Sequence, residues 1–362
     1  MPLEDWFDSY QYEVDYDIGE SGVKYLNLGA ISRDFAHVQL RYGHHRGSPE
    51  LRSLISEQYE GLGPDQICVT TGSSEANFSV IASLVGKSDH MIVEHPNYPS
   101  LYEVPRSLEL PHDLFRIIYE DRFEPDIRRL ERLIKPNTKL VSLTHPNNPT
   151  GSVISEKTLR EVVELVESRN AYLLHDETYR ELCFGKPPPP AATLGDRAIS
   201  MTTMSKAYGV PGIRIGWIAG SKEIVDSVRA VREQLTICNS VIGEAIAIAA
   251  LKQRDTFLQD VRQRVQRNFV TLKNWMARQD VLEWVEPGGG VVAFPRLKNG
   301  SSTEELCRTL ATKYRTFTVP GRGFEMDRHL RIGFGGEEDE LKEGLKRLKQ
   351  TLDEYAPLLQ AQ

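Results

Sequence analysis

Ser200-Met-Thr-Thr203-Met-Ser-Lys206-Ala-Tyr-Gly209-Val-Pro-Gly212-Ile-Arg214-Ile-Gly216-Trp217-Ile-Ala219 sets two short strand-like runs, Ser200–Thr203 and Ile215–Ala219, on either side of a polar turn. The turn carries a lysine just past the first run and an arginine eight residues further on. Chemistry at the carboxyl end of a strand is the place where open α/β sheets bind ligands.

The same pattern recurs upstream. Ile67–Thr70, Met91–Glu94, Lys139–Thr144 and Ala171–His175 are apolar on both faces, and helical patterns separate most of them. This reads as buried parallel strands joined by helices. One helix is expected to start at Ser48-Pro49-Glu50, with Ser48 as N-cap and the proline in the first turn. Another follows Ser155, where Leu159, Val162, Val163 and Val166 form a 3.6-residue stripe. The expected class is therefore α/β, with a mostly parallel central sheet. Beyond about residue 255 the pattern changes. A long helical stretch, Asp255–Arg278, precedes Val281–Glu286, the glycines 288–290 and Val291–Arg296. A helix (Thr303–Lys313), a strand (His329–Phe334) and a last helix (Glu338–Glu354) follow, as in a smaller α+β domain. The expected division is an irregular, acidic segment 1–38 packing with the small domain, a large domain 39–254, and a small domain 255–362.

Composition excludes several classes. The 362 residues are 40% hydrophobic and 26% charged, ordinary values for a globular chain. Forty-four basic against 51 acidic residues leave a net charge of −7, which argues against a nucleic-acid partner. Cys68, Cys183, Cys238 and Cys307 lie far apart, which fits a reducing compartment rather than a disulfide scaffold or zinc module. The acidic start lacks a signal-peptide pattern, and no apolar run approaches the ~20 residues needed to span a bilayer. A soluble, cytoplasmic protein without a membrane partner is expected. The histidines show no metal-ligand spacing, so no metal is assigned. Lys186 and the four prolines after it read as an extended surface loop.

Four strand ends carry the chemistry. Gly72-Ser73-Ser74-Glu75 opens a helix after a strand, an arrangement of free N–H groups and hydroxyls suited to an anion. An ordinary helix cap is the competing reading of Ser73 and Ser74. His145-Pro-Asn-Asn148-Pro-Thr-Gly151 fixes a turn that aims Asn148 at the strand ends. Asp176-Glu-Thr-Tyr179 pairs a buried carboxylate with a phenol, and Lys206 and Arg214 complete the set. An anion site, a carboxylate, a phenol, an amide and an amine are what a phosphorylated pyridine aldehyde would engage.

N-N-P-T-G, D-E-x-Y, S-K-x-x-x-x-x-G-x-R-x-G-W and L-R-I-G-F occur here in that order. Together they make the chain resemble the class I/II aminotransferases, fold type I enzymes that use pyridoxal 5'-phosphate, from about Tyr42 to the last helix. The resemblance implies that Lys206 forms the Schiff base and moves the α-proton. It implies that Asp176 pairs with the pyridinium nitrogen and that Asn148 and Tyr179 bond the phenolic oxygen. Ser73, Ser74, Thr203 and Arg214 are implied to hold the phosphate, Tyr98 to stack on the ring, and Arg331 to grip the substrate carboxylate with help from Asn148. Tyr42 matches a tyrosine that reaches the neighbouring subunit's phosphate, which implies a homodimer.

Leu3-Glu-Asp-Trp-Phe, Asp17 to Val23, Gly289 to Arg296 and Val319 to Phe324 further resemble the capreomycidine synthase branch. The resemblance implies Gly29 as a substrate-binding residue, while Gly29-Ala-Ile-Ser32 departs from the G-x-P-D-F common in aminotransferases and leaves the substrate side-chain pocket open. The expected activity is transfer of an amino group from an α-amino acid to a 2-oxo acid. The alternative is β-elimination with cyclisation or replacement on a hydroxylated basic amino acid. For the latter, Glu20 is the candidate partner of a cationic side chain, ahead of Asp15 and Asp17; a solvated acidic arm is the competing reading.

Overall fold

The computed structural model describes residues 1–32 and 34–360, with side chains as far as Tyr355. Its centre is a seven-stranded sheet: β1 (Ile67–Thr70), β2 (His90–His95), β3 (His112–Arg116), β4 (Thr138–Thr144), β5 (Tyr172–Asp176), β6 (Ala198–Thr203) and β7 (Gly216–Ala219). The spatial order is β1-β7-β6-β5-β4-β2-β3. β3, β2, β4, β5 and β6 pair in parallel, whereas β7 is antiparallel to both β6 and β1. The expectation of parallel strands fails at β7 for a geometric reason. Only a 3-10 turn, Pro211–Ile213, interrupts the link from β6, and a parallel crossover needs a longer connection, usually a helix.

Five of the six strands read from sequence lie in the interior of the sheet, and nearly every residue on them is buried. β3, at the edge, escaped the sequence reading because His112, Asp113 and Arg116 break its apolar run. Helices form where expected. Ser48 Oγ accepts from Leu51 N at the start of Pro49–Ser56, and Ser155 does the same for Thr158 N at the start of Glu156–Ser168. Leu159, Val162, Val163 and Val166 are all buried against the sheet.

The N-terminal stretch is more ordered than the sequence implied. Pro2–Tyr10 is a helix, with a proline in its first turn and Glu4 and Asp5 complementing its dipole. It is anchored by buried Leu3, by Trp6 Nε1 donating to the Thr318 carbonyl at 2.9 Å, and by Phe7 edge-on to Phe317. Tyr16–Asp17 then pairs in parallel with Thr316–Phe317. A three-stranded antiparallel sheet, Val292–Ala293, Leu330–Gly333 and Val319–Pro320, carries the late L-R-I-G-F motif. Helices Arg254–Met276, Glu304–Thr312 and Glu338–Gln360 complete this part. No helix among the described residues is long and apolar enough to cross a membrane.

Candidate active site

The carboxyl ends of β1, β2, β4, β5 and β6 open on one edge of the sheet, and a cavity of about 240 Å³ lies over them. Ser73, Ser74, Tyr98, Asn148, Asp176, Tyr179, Thr203, Lys206, Arg214, Arg331 and Glu20 all line it. Residues up to 311 positions apart in sequence are thus brought to one chamber, some by strand order and Glu20 and Arg331 by elements packed over the sheet edge.

On one side, the helix Gly72–Leu84 points its amino end at the cavity. Its N-cap, Thr71, makes no side-chain cap bond, so the first N–H groups are left for a ligand. Two glycines let the chains close up here. A Cβ on Gly216 would sit 2.7 Å from Gly72 C and 2.9 Å from Ser73 N, and one on Gly72 would sit 2.5 Å from an Arg214 guanidinium nitrogen. Arg214 takes a left-handed backbone (φ 54°), which costs about 1–2 kcal/mol outside glycine and turns its side chain back toward the helix end. Thr203 Oγ1 bonds the Ile215 carbonyl and Ser205 Oγ, both at 3.0 Å, tying the lysine loop to β7.

On the floor lies Asp176, buried, its Oδ1 accepting from Thr178 N at 3.0 Å. Burial raises its pKa and outweighs the Thr178 bonds, which work the other way. No cation is within ion-pair distance of it among the described residues. Thr178 is also buried and lies on the cavity wall.

Lys206 Nζ donates to Glu20 Oε1 and Ser21 Oγ, each at 3.0 Å. Burial works to lower the Lys206 pKa, but the Glu20 carboxylate and Tyr179 offset it and leave the amine above its usual value. Burial works to raise Glu20, yet Lys206 and then Arg331 bring it down to about 2. Tyr179 OH donates to the Ser21 carbonyl at 2.8 Å, and Tyr98 OH donates to Glu4 Oε1 at 3.0 Å.

Arg331 is 1% exposed. Its guanidinium donates to the Gly19 carbonyl (2.8 and 3.2 Å) and to Asn148 Oδ1 (3.1 Å), between the rings of Phe7 and Phe324. Among the described residues no carboxylate pairs with it. A buried guanidinium held only by neutral acceptors retains an unmet preference for an anion.

The model of the family "Aminotransferase class I and II" matches residues 33–348. The chain belongs to the class I and II aminotransferases. Pyridoxal phosphate is the cofactor on which this family's members and their solved structures depend. This aminotransferase-family chain is 30% identical to capreomycidine synthase of Streptomyces vinaceus, over 98% of this chain and 94% of that protein. Its fold matches a pyridoxal-phosphate-dependent aminotransferase from Streptococcus suis 89-1591 with a TM-score of 0.93 and 32% identity, covering 98% and 97% of the two chains. It matches the pyridoxal-phosphate-dependent cyclase OrfR with a TM-score of 0.90 and 28% identity, covering 97% and 96%.

Two residues singled out from sequence stay away from this aminotransferase cavity. Gly29 is exposed in the short helix Leu28–Ile31, whose end is held by Gln253 Nε2 on the Ile31 carbonyl. Tyr42 is 81% exposed and lines a separate surface hollow with His44, Val241 and Ile248. Asp15 pairs with Arg315, and Asp17 Oδ1 accepts from the N–H groups of Gly19 and Glu20, so both build the segment that presents Glu20. Sequence reasoning missed Leu3, Glu4, Phe7, Ser21, Thr178 and Ser205. All six stood inside quoted segments, but nothing local marks the helix at the chain start as an active-site wall.

Proposed function

We propose that the cavity binds pyridoxal phosphate and an α-amino acid, and that the enzyme transfers the amino group to a 2-oxo acid. The donor set fits the cofactor. Asp176 is a buried carboxylate without a cation and suits a protonated ring nitrogen; the free helix N-terminus, Ser73, Ser74, Thr203 and Arg214 suit a phosphate. When bound, the cofactor supplies an electron sink for charge that develops at the substrate α-carbon.

The chain's own residues supply the rest. Lys206 Nζ is the one amine on the lining, and it takes the roles of anchoring nucleophile and of base at the α-carbon. With Lys206 engaged by the cofactor, Glu20 would lose this cationic partner. Asn148 and Tyr179 would hold the ring's phenolic oxygen, and Tyr98 would stack on the ring. Arg331 fixes the α-carboxylate, and Asn148 Oδ1 keeps the guanidinium plane oriented. The single observation carrying this reading is the buried Arg331 without an anion in a cavity that also holds Lys206. We propose Tyr42 as a contact to the phosphate of a second subunit, supported by its exposure.

A second reading shares the cofactor and binding mode but ends in loss of a β-substituent and ring closure. The similarity to capreomycidine synthase and to a cyclase favours it. Product analysis with and without a 2-oxo acid separates the two. Turnover that requires the acceptor, with keto acid formed, supports transamination; acceptor-independent turnover with a cyclic or unsaturated product overturns it in favour of the second reading.

A further inference from the structure

Glu94 is a carboxylate that the chemistry above leaves unused. It lies near the carboxyl end of β2 and is 0% exposed. Its one ion-pair partner among the described residues is His145, whose Nε2 stands 3.2 Å from Glu94 Oε1. Burying a carboxylate without lysine or arginine is unfavourable unless donors meet its oxygens.

The donors come from β4 and the turn after it. The β2–β4 ladder ends at Val93 and Ser142, and the Thr144 N–H beyond it donates to Glu94 Oε2 at 2.8 Å. Asn147 Nδ2 donates to the same oxygen at 3.3 Å and to the Pro96 carbonyl at 3.1 Å, so one side chain bridges the loops that follow the two strands. Asn147 Oδ1 accepts from Thr150 N at 3.1 Å and from Thr150 Oγ1 at 2.8 Å, which closes the turn around Asn148. His145 N donates to the Asp176 carbonyl at 3.1 Å and ties the turn to β5. Glu94, His145, Asn147 and Thr150 are each no more than 2% exposed. The two loops carry Tyr98 and Asn148 into the cavity lining, where Asn148 Oδ1 accepts from Arg331 at 3.1 Å. With that oxygen committed, the amide N–H groups of Asn148 are what it can offer to an anionic oxygen.

We infer that Glu94 is a positioning residue: through Thr144 and Asn147 it braces the turn so that Asn148 serves Arg331 with its oxygen and the cofactor's phenolic oxygen with its amide. Glu94 does not line the cavity, so it acts only through that turn. The inference rests on the reading of the cavity as a pyridoxal-phosphate site.

The test reads the pH midpoint of the change in cofactor absorption in the holoenzyme, with bound cofactor and melting temperature measured alongside. A donor on the phenolic oxygen favours its anion and lowers that midpoint. Glu94→Leu removes both acceptor oxygens. It is expected to raise the midpoint by about half to one pH unit, the size of one lost hydrogen bond, with cofactor stoichiometry near native. Glu94→Gln keeps an oxygen for Thr144 N and Asn147 Nδ2, and its midpoint is expected within about 0.2 of native. Asn147→Ser cuts the bridge but leaves the carboxylate; it is expected to raise the midpoint as well, and it carries the test should Glu94→Leu not fold. In an Asn148→Ala background, whose midpoint is already raised, neither Glu94→Leu nor Asn147→Ser is expected to add more than about 0.2, because both act through Asn148. Three results overturn the inference: an unchanged midpoint in the folded variants with only the melting temperature lowered, equal shifts in Glu94→Gln and Glu94→Leu, or shifts that add in full to that of Asn148→Ala. A native chain that binds no pyridoxal phosphate overturns the parent reading, and this one with it.

Discussion

Lys206 Nζ and Glu20 Oε1 lie 3.0 Å apart, joining the loop after β6 to a turn 186 residues earlier in the chain. Both residues line the cavity. It also fixes the protonation of both groups, with Glu20 lowered to about 2 and Lys206 raised.

That pairing has a pH signature in the cofactor-free protein. Glu20 has a depressed folded pKa, so its contribution to stability is complete above its ordinary value of 4.5 and is lost as pH falls through about 2. Lys206 has a raised folded pKa, so its contribution is present below 10.5 and is lost as pH rises beyond it. In Glu20→Gln, burial should dominate and lower the lysine pKa. Acetic anhydride labelling of Lys206 should then begin at lower pH than in the native chain, and the unfolding free energy should depend less on pH between about 5 and about 2. Unchanged labelling and slope would show that the pair does not persist in solution.

Arg331→Ala should weaken the binding of amino acids. Truncating one partner of a buried, hydrogen-bonded charge pair costs about 2–5 kcal/mol, which is at least about 30-fold in KM. Amines lacking the α-carboxylate should change little. Arg331→Lys should recover only part of the loss, since it keeps the charge and removes the fork. Equal losses for acids and decarboxylated amines would make Arg331 structural.

Asp176→Asn retains shape and burial and removes the charge beneath the ring. Turnover should fall by on the order of a hundredfold or more, while bound cofactor stays near the native stoichiometry because the phosphate contacts persist. Near-native turnover would remove Asp176 from the mechanism.

Gly216→Ala forces a methyl against backbone of β6 and of the helix Gly72–Leu84, at 2.8 Å from the Thr202 carbonyl and 2.9 Å from Ser73 N. Overpacking of this kind costs about 1–3 kcal/mol. It should lower the melting temperature and weaken cofactor retention by displacing the phosphate donors. Gly212→Ala is the control, because a Cβ there meets nothing within 4 Å. Its stability should stay within about 0.5 kcal/mol of native. Equal behaviour of the two variants would refute the close approach.

The sequence by itself determined the sheet and its chemical edge. Buried strands must be apolar on both faces, so β1, β2, β4, β5 and β6 announce themselves, and the polar motifs after them fall on one edge. The edge strand β3 did not, because a half-exposed strand tolerates His112, Asp113 and Arg116. Nor was the direction of β7 apparent, since apolar runs carry no information on polarity along the sheet. The wall facing the sheet was decided only in three dimensions. Glu4, Phe7 and Ser21 lie in segments whose sequence carries a resemblance but no sign of a site, and they reach Tyr98, Arg331 and Lys206 only because Trp6, Phe7 and Tyr16–Asp17 dock the N-terminal stretch on residues 316–318. Local patterns record burial and backbone geometry; a contact across 300 residues is set by the packing free energy of the whole chain, which no window of sequence contains.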